Sequence, residues 1–340
     1  MKDESSILNP SSFTLHPSPF ILHPSIKMAR FLITRFSGMA FVLLVVSFLT
    51  FALMYNVPGG PFDQNKQPLS EAAMANIKRK YGLDQPFYVQ WGRYVVNAVQ
   101  GDFGTSYVAE GDKIVTLFGK YWGASLIFGA LSLAWSIPLG LILGVWAAIK
   151  RNTLIDYVVT LISVVGITVP VFALGIFGLY LFSIRWKLLP YTGWDLVNEP
   201  LTAVLPVIIF GLLPLGTIAR YTRAGMLEVL AQDYVRTARA KGLTFKVVVL
   251  KHALRNALIP ILTVIGPFIP NALTGSAILE RMFNIPGVGR YFIDSIQARD
   301  YPVIMATVLI VAVLWGITYL LTDLLYTVAD PRIRIDGSKS

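Results

Sequence analysis

The sequence predicts an all-α integral membrane protein: six transmembrane helices, a small helical extracytoplasmic loop and a helical elbow on the cytoplasmic side. Three observations predict it. The chain is 55% hydrophobic and only 14% charged, against about 25% charged for a soluble domain. Six apolar stretches are long enough to cross a bilayer. Basic residues gather in the short connections between them.

Residues 1–27 stand apart. They are rich in Ser and Pro, contain the near-repeat LHPSPFILHPS and show no helical period. They are expected to be a disordered extension, or one foreign to the natural protein. Met28 opens MARFLITRF, a basic run directly before an apolar span, and is read as the start of the transmembrane domain, residues 28–340. His16 and His23 lie in the extension and are poor ligand candidates.

Crossing about 30 Å of hydrocarbon takes roughly 20 residues at about 1.5 Å each. The stretches 36–55, 121–149, 157–182, 203–219, 257–279 and 303–326 meet that need. The second contains Gly140-Leu-Ile-Leu-Gly144, a pattern that allows close helix packing. The fourth is the weakest, because Pro206 and Pro214 interrupt it. Pro138, Pro170, Pro267 and Pro270 mark expected bends.

Orientation follows from Lys and Arg in short loops. Lys27, Arg30 and Arg35 precede the first span, Lys150 and Arg151 follow the second, and Arg332 and Arg334 follow the sixth. The loop 220–256 adds Arg220, Arg223, Lys246 and Lys251 among others. With six spans all of these fall on one side, which is expected to be the cytoplasm, with both termini inside. The opposite loop, 56–120, is read as ordered. Ser70 is placed to cap a helix ending at Gly82, and a second helix, 86–99, is closed by Gly101.

Several chemistries are excluded. There is no cysteine, hence no disulfide or thiolate site. The net charge of +10 is carried by span-flanking residues, which suit anionic lipid rather than nucleic acid. Spans one, two, three and five hold no Asp, Glu, Lys, Arg or His, so a proton-coupled carrier lacks its titratable group. No clustered nucleophile, base or metal set marks a membrane enzyme. No G-x-x-x-x-G-K-[ST] is present, so energy for uphill transport must come from a partner.

After the fourth span the chain reads RAGMLEVLAQDYVRTARAKGLTFKVVVLKHALRNALIP. Leu227, Leu230, Tyr234 and Ala238 recur at helical spacing as an apolar stripe. Gly242 is placed to stop the helix with a positive φ, and Thr244 to cap the next. The result is an elbow expected to be small on one face and basic on the other. An interfacial helix lying on anionic lipid is the plainer reading of the same pattern.

The strings DYVRTARAKG and HALRNALIP resemble the coupling loop of ABC-importer permeases, in the branch serving oligopeptides, dipeptides, nickel and glutathione. NVPGGPFD, YGLDQPFYVQWGRYVVNAVQGDFGTSY, ILERMFNIPGVGRYFIDSIQARDYPVI and TDLLYTVADPRIR resemble other segments of that branch, in order, from about Arg30 onward. The general loop carries Glu-Ala-Ala where this chain has Arg236-Thr237-Ala238, so no role is transferred to that glutamate.

The resemblance implies a permease forming half of a translocation path, joined to ATPase subunits through residues 233–260. It implies that Asp233, Tyr234, Arg236, Thr237, Ala238, Arg239, Ala240, Lys241, Gly242, His252, Arg255 and Asn256 form the coupling site, with small Ala238 and Ala240 allowing close approach. It implies a second homologous permease, two cytoplasmic ABC ATPases and an extracytoplasmic solute-binding protein as partners. ATP and Mg would then sit on the ATPases, with no cofactor in this chain. The alternative is a stand-alone secondary transporter or channel, for which the elbow has no evident use.

Overall fold

The computed structural model describes residues 24–57, 70–109 and 111–329. His16, His23, Arg332 and Arg334 lie outside them, as does most of the 1–27 extension. Its last residues do not: the first helix, α1, spans Pro24–Asn56 and so starts ahead of Met28. A proline suits the first helical turn, where its missing N–H leaves no bond unmade.

The 56–120 loop holds α2 (Glu71–Tyr81) and α3 (Phe87–Val99). The Ser70 hydroxyl accepts the Ala73 N–H, as its position predicts. At Gly82 the chain leaves α2 through a left-handed residue, with Leu83 N–H donating to Lys78 O at 2.8 Å. Gly101 closes α3 the same way, with Asp102 N–H donating to Asn97 O at 3.0 Å. Both are Schellman endings. The next helix, α4 (Ile114–Ile149), begins inside the expected 56–120 loop and runs unbroken through Pro138.

The third span is not one helix. The segments α5 (Leu154–Thr168) and α6 (Val171–Gly178), the latter continued by a π-helical stretch Leu179–Arg185, are bent by 109° at the break. The cause is Pro170, which forces Val169 into an extended conformation at φ −78°, ψ 126°.

The fourth span, expected to be weakest, is α7 (Leu201–Leu230), continuous through both prolines. It is the most deeply buried of the long apolar helices. Neighbours pack closely along it. Gly140 and Gly144 of α4 bring its backbone against the Leu215 and Ala219 carbonyls of α7, which confirms the close-packing reading of the glycine pair. Trp135 of α4 lies across Gly211 and donates its indole N–H to Val207 O at 3.2 Å.

The chain then forms α8 (Asp233–Ala240), α9 (Phe245–Val247), a π-helical stretch Val248–Leu254 and α10 (Arg255–Ile265). Pro267 starts α11 (Phe268–Thr274), and Gly275 separates that from α12 (Ala277–Met282). The fifth span is therefore jointed. An amphipathic helix, α13 (Val288–Gln297), leads into α14 (Tyr301–Ala329). Two isolated bridges are the only extended pairings among the described residues.

Apolar burial forms one cluster of Phe128, Leu179, Leu205, Ile209, Leu279, Phe283 and Ile285, and another, nearer the 231–254 segment, of Ala148, Met226, Val249, Ala253 and Ala257. The helix α1 stays at the margin, packed on α14 and, through Phe48, on Phe87 and Trp91 of α3.

Candidate functional site

The elbow forms because the chain has one stop and one restart. Helix α7 ends at Leu230, and a turn at Ala231 and Gln232 sets α8 in a new direction. Residues 220–230 thus belong to α7 rather than to the 220–256 loop. Gly242 has φ 77°. Its N–H donates to Arg239 O at 2.9 Å and the Leu243 N–H to Ala238 O at 3.4 Å, a Schellman ending like those of α2 and α3. Thr244 takes the expected N-cap position in extended conformation, though without a side-chain cap bond.

The faces of the elbow differ from the expected ones. Because α7 and α8 are separate helices, the 227–238 spacing does not run along one surface. Val235 and Ala238, the latter 7% exposed, turn inward and pack on Val248, with Val229 and Leu230 beside them. Ala238 is therefore small to fit the elbow's own core, and only Ala240 of the two alanines is exposed. Tyr234, expected in the stripe, is exposed and accepts a hydrogen bond from Asn256 Nδ2 at 2.9 Å, which ties the two arms together.

The outward face mixes apolar and basic groups. Leu243, Phe245, Val247 and Leu250 are exposed, Phe245 to 50%. Arg236, Arg239, Lys241, Lys246, Lys251 and Arg255, on the same two arms, are also exposed. The Arg239 guanidinium lies 6.0 Å from the Phe245 ring centroid, within cation–π range. Arg236 and Asp233 approach to 3.6 Å, but both side chains are largely exposed, so this pair contributes little. The Thr237 hydroxyl donates to Asp233 O. The His252 side chain lies outside the described residues.

Two buried carboxyls on the other side escaped the sequence reading. Glu280, one residue beyond the expected end of the fifth span, is fully buried. It accepts Ser125 Oγ–H at 2.8 Å and the Arg290 N–H at 3.0 Å. Gly275, Gly287 and Gly289 crowd it so closely that a Cβ on any of them would collide with the carboxyl. Asp300, also buried, accepts Ser106 Oγ–H at 2.5 Å and the Tyr107 N–H at 3.1 Å, pinning the GDFGTSY segment to the start of α14. Burial and the Asp300 charge hold the Tyr107 hydroxyl well above the usual phenol range, and push Tyr291 up to about 12. The carboxyls bracket α13, fixing both its ends. The signal in the sequence was the set of glycines around a lone acid at 280.

The chain matches the family described as "Binding-protein-dependent transport system inner membrane component" over residues 140–335, and its N-terminal component over residues 28–122. It is 41% identical over 309 residues to the dipeptide transport system permease protein DppB of Bacillus subtilis (strain 168), covering 91% of this chain and 99% of the relative. It is 39% identical over 311 residues to the glutathione transport system permease protein GsiC of Shigella flexneri serotype 5b (strain 8401), covering 90% and 99%. It is 37% identical over 314 residues to the oligopeptide transport system permease protein AppB of Bacillus subtilis (strain 168), again covering 90% and 99%.

Proposed function

This chain belongs to the binding-protein-dependent transport system inner membrane components, and from that premise we propose how it works and what it carries. It is a multi-pass plasma membrane permease subunit of an ABC importer. It works with a solute-binding protein and ATPase subunits rather than as an enzyme or a stand-alone carrier.

The cargo proposed is a short peptide, since the three relatives named above are dipeptide, glutathione and oligopeptide permeases. None of the three is a nickel permease, and nickel is not proposed. The assembly proposed is two homologous permeases, two ATPases and one binding protein, with residues 28–340 as the working unit of this chain.

The observation that carries the mechanism is the Gly242 elbow, with its exposed Leu243, Phe245, Val247 and Leu250 set among cations. Exposed apolar side chains interspersed with basic ones suit a docking surface. The ATPase would hold this face, and its closure would move α7 and α10, the helices that leave the elbow. ATP binding would thus shift the population of two access states. Reconstituted with its partner subunits, the transporter is expected to accumulate labelled dipeptide in vesicles only when ATP and binding protein are supplied. Accumulation by this chain alone on an ion gradient would overturn the proposal.

Both termini are proposed to be cytoplasmic, with α2 and α3 outside. The chain has no cysteine, so single labels are unambiguous. Ala109→Cys is expected to react with an impermeant thiol reagent in intact cells, and Lys246→Cys only after permeabilisation. The reverse pattern would invert the topology.

A further inference from the structure

The connection between α4 and α5 is short and tightly wound. Asn152 has φ 60°, and its N–H donates to Asp156 Oδ2 at 2.9 Å. The same carboxylate receives both arms of the Arg223 guanidinium, Nε at 2.5 Å on Oδ1 and Nη2 at 2.8 Å on Oδ2. The Asp156 side chain is 3% exposed and that of Arg223 30%. A two-point fork of this kind fixes direction as well as distance, which a single ammonium does not.

The position of the pair decides its use. Arg223 sits two turns before α7 ends at Leu230, at the root of the elbow. Its neighbour Thr222 lies against Gly144 of α4. Met226, one turn on, is packed among Ala148 of α4 and Ala253 and Ala257 of the returning arm. Higher up, α5 meets α7 backbone to backbone, with Gly216 against the Ser163 carbonyl. At the cytoplasmic end, where the elbow would be pushed, the ion pair makes that connection.

We infer that Asp156 and Arg223 form a positioning clamp that binds α5 to the root of the elbow, so that α4, α5 and α7 follow it as one block. The inference rests on the reading that the elbow seats on the ATPase. Beyond the block, the first break in the chain is the bend at Val169 and Pro170, between α5 and α6.

The test uses the complete transporter in vesicles, with a labelled dipeptide. It reads three quantities: membrane accumulation, ATPase retained on purification, and peptide taken up per ATP hydrolysed. Asp156→Asn and Arg223→Gln are expected to accumulate and retain ATPase. Their uptake per ATP should fall about tenfold, within the usual range of a coupling interaction. Arg223→Lys keeps the charge but loses the fork and should lie between. Asp156→Arg combined with Arg223→Asp should recover part of the loss. A purely stabilising ion pair would lower accumulation without changing the ratio.

An unchanged ratio in the single variants, or no recovery in the reversed pair, would overturn the clamp. If the single variants do not accumulate, Arg223→Lys decides on the same ratio, and its own failure to accumulate would also overturn it. Gly242→Leu run in parallel separates the two levels. If it uncouples while the clamp variants do not, only the clamp falls. If it is silent, the elbow reading falls.

Discussion

Replacing Gly242 with leucine is expected to remove most ATP-driven uptake while leaving the protein in the membrane. Gly242 holds φ 77°, and nothing lies within 4 Å of where its Cβ would be. The penalty is therefore backbone strain, about 1–2 kcal/mol for an L-residue in the left-handed region. Both bonds of the Schellman ending depend on that conformation. Without it α8 would lose its stop, and Leu243 and Phe245 would be presented at another angle to the ATPase. The spans are untouched, so accumulation should be normal. Uptake per ATP is expected to fall by about tenfold or more, and less ATPase should purify with the complex. Gly242→Asn, which tolerates the left-handed region, should be much milder. Ala238→Arg should fail differently, by forcing a cation into the Val235 and Val248 packing, and should cost accumulation as well. Full transport by Gly242→Leu with ATPase bound would make the elbow a mere lipid-facing connection.

Glu280→Ala is expected to have the largest effect on stability. The change would strand the Ser125 hydroxyl and the Arg290 N–H in a dry interior, where each orphaned donor costs about 1–3 kcal/mol. It would also leave a cavity between Gly275, Gly287 and Gly289. The loop between the fifth and sixth spans would lose its anchor on α4. Accumulation should drop sharply, the thermal midpoint in detergent should fall, and little transport should remain. Glu280→Gln should be much milder. Its remaining oxygen can accept the Arg290 N–H, and its amide can donate to Ser125 Oγ. A Glu280→Ala protein that unfolds at the wild-type temperature would remove this role.

Much of the architecture was local and therefore legible in the sequence. Ser70, Gly82, Gly101 and Gly242 act on the backbone within a few residues of themselves, so their effects could be read without knowing the neighbours. The apolar stretches had the same advantage, since a bilayer demands about 20 apolar residues wherever the helix lies. The glycine pair in α4 announced close packing but not its partner, which is α7. The coupling-loop strings placed the candidate site, yet which of its side chains face outward depended on where α7 stops.

What only the tertiary structure decided is which helix meets which. Pro206 and Pro214 looked like weaknesses because proline removes a hydrogen bond locally. The close approach of α4 and α5 supports α7 through both, and no local pattern contains that support. Pro170 broke its span because it forces Val169 into an extended conformation. Asp156 and Glu280 each fell one residue outside an apolar stretch and drew no reading from the sequence. Their roles arise from Arg223, 67 positions away in sequence, and from Ser125, 155 positions away. Sequence alone determined the membrane fold, the stops at Gly82, Gly101 and Gly242 and the elbow, because these follow from short-range backbone and solvent physics. The clamp, the buried carboxyl and the inward turn of Ala238 required the packed structure, because each depends on groups that only folding brings into contact.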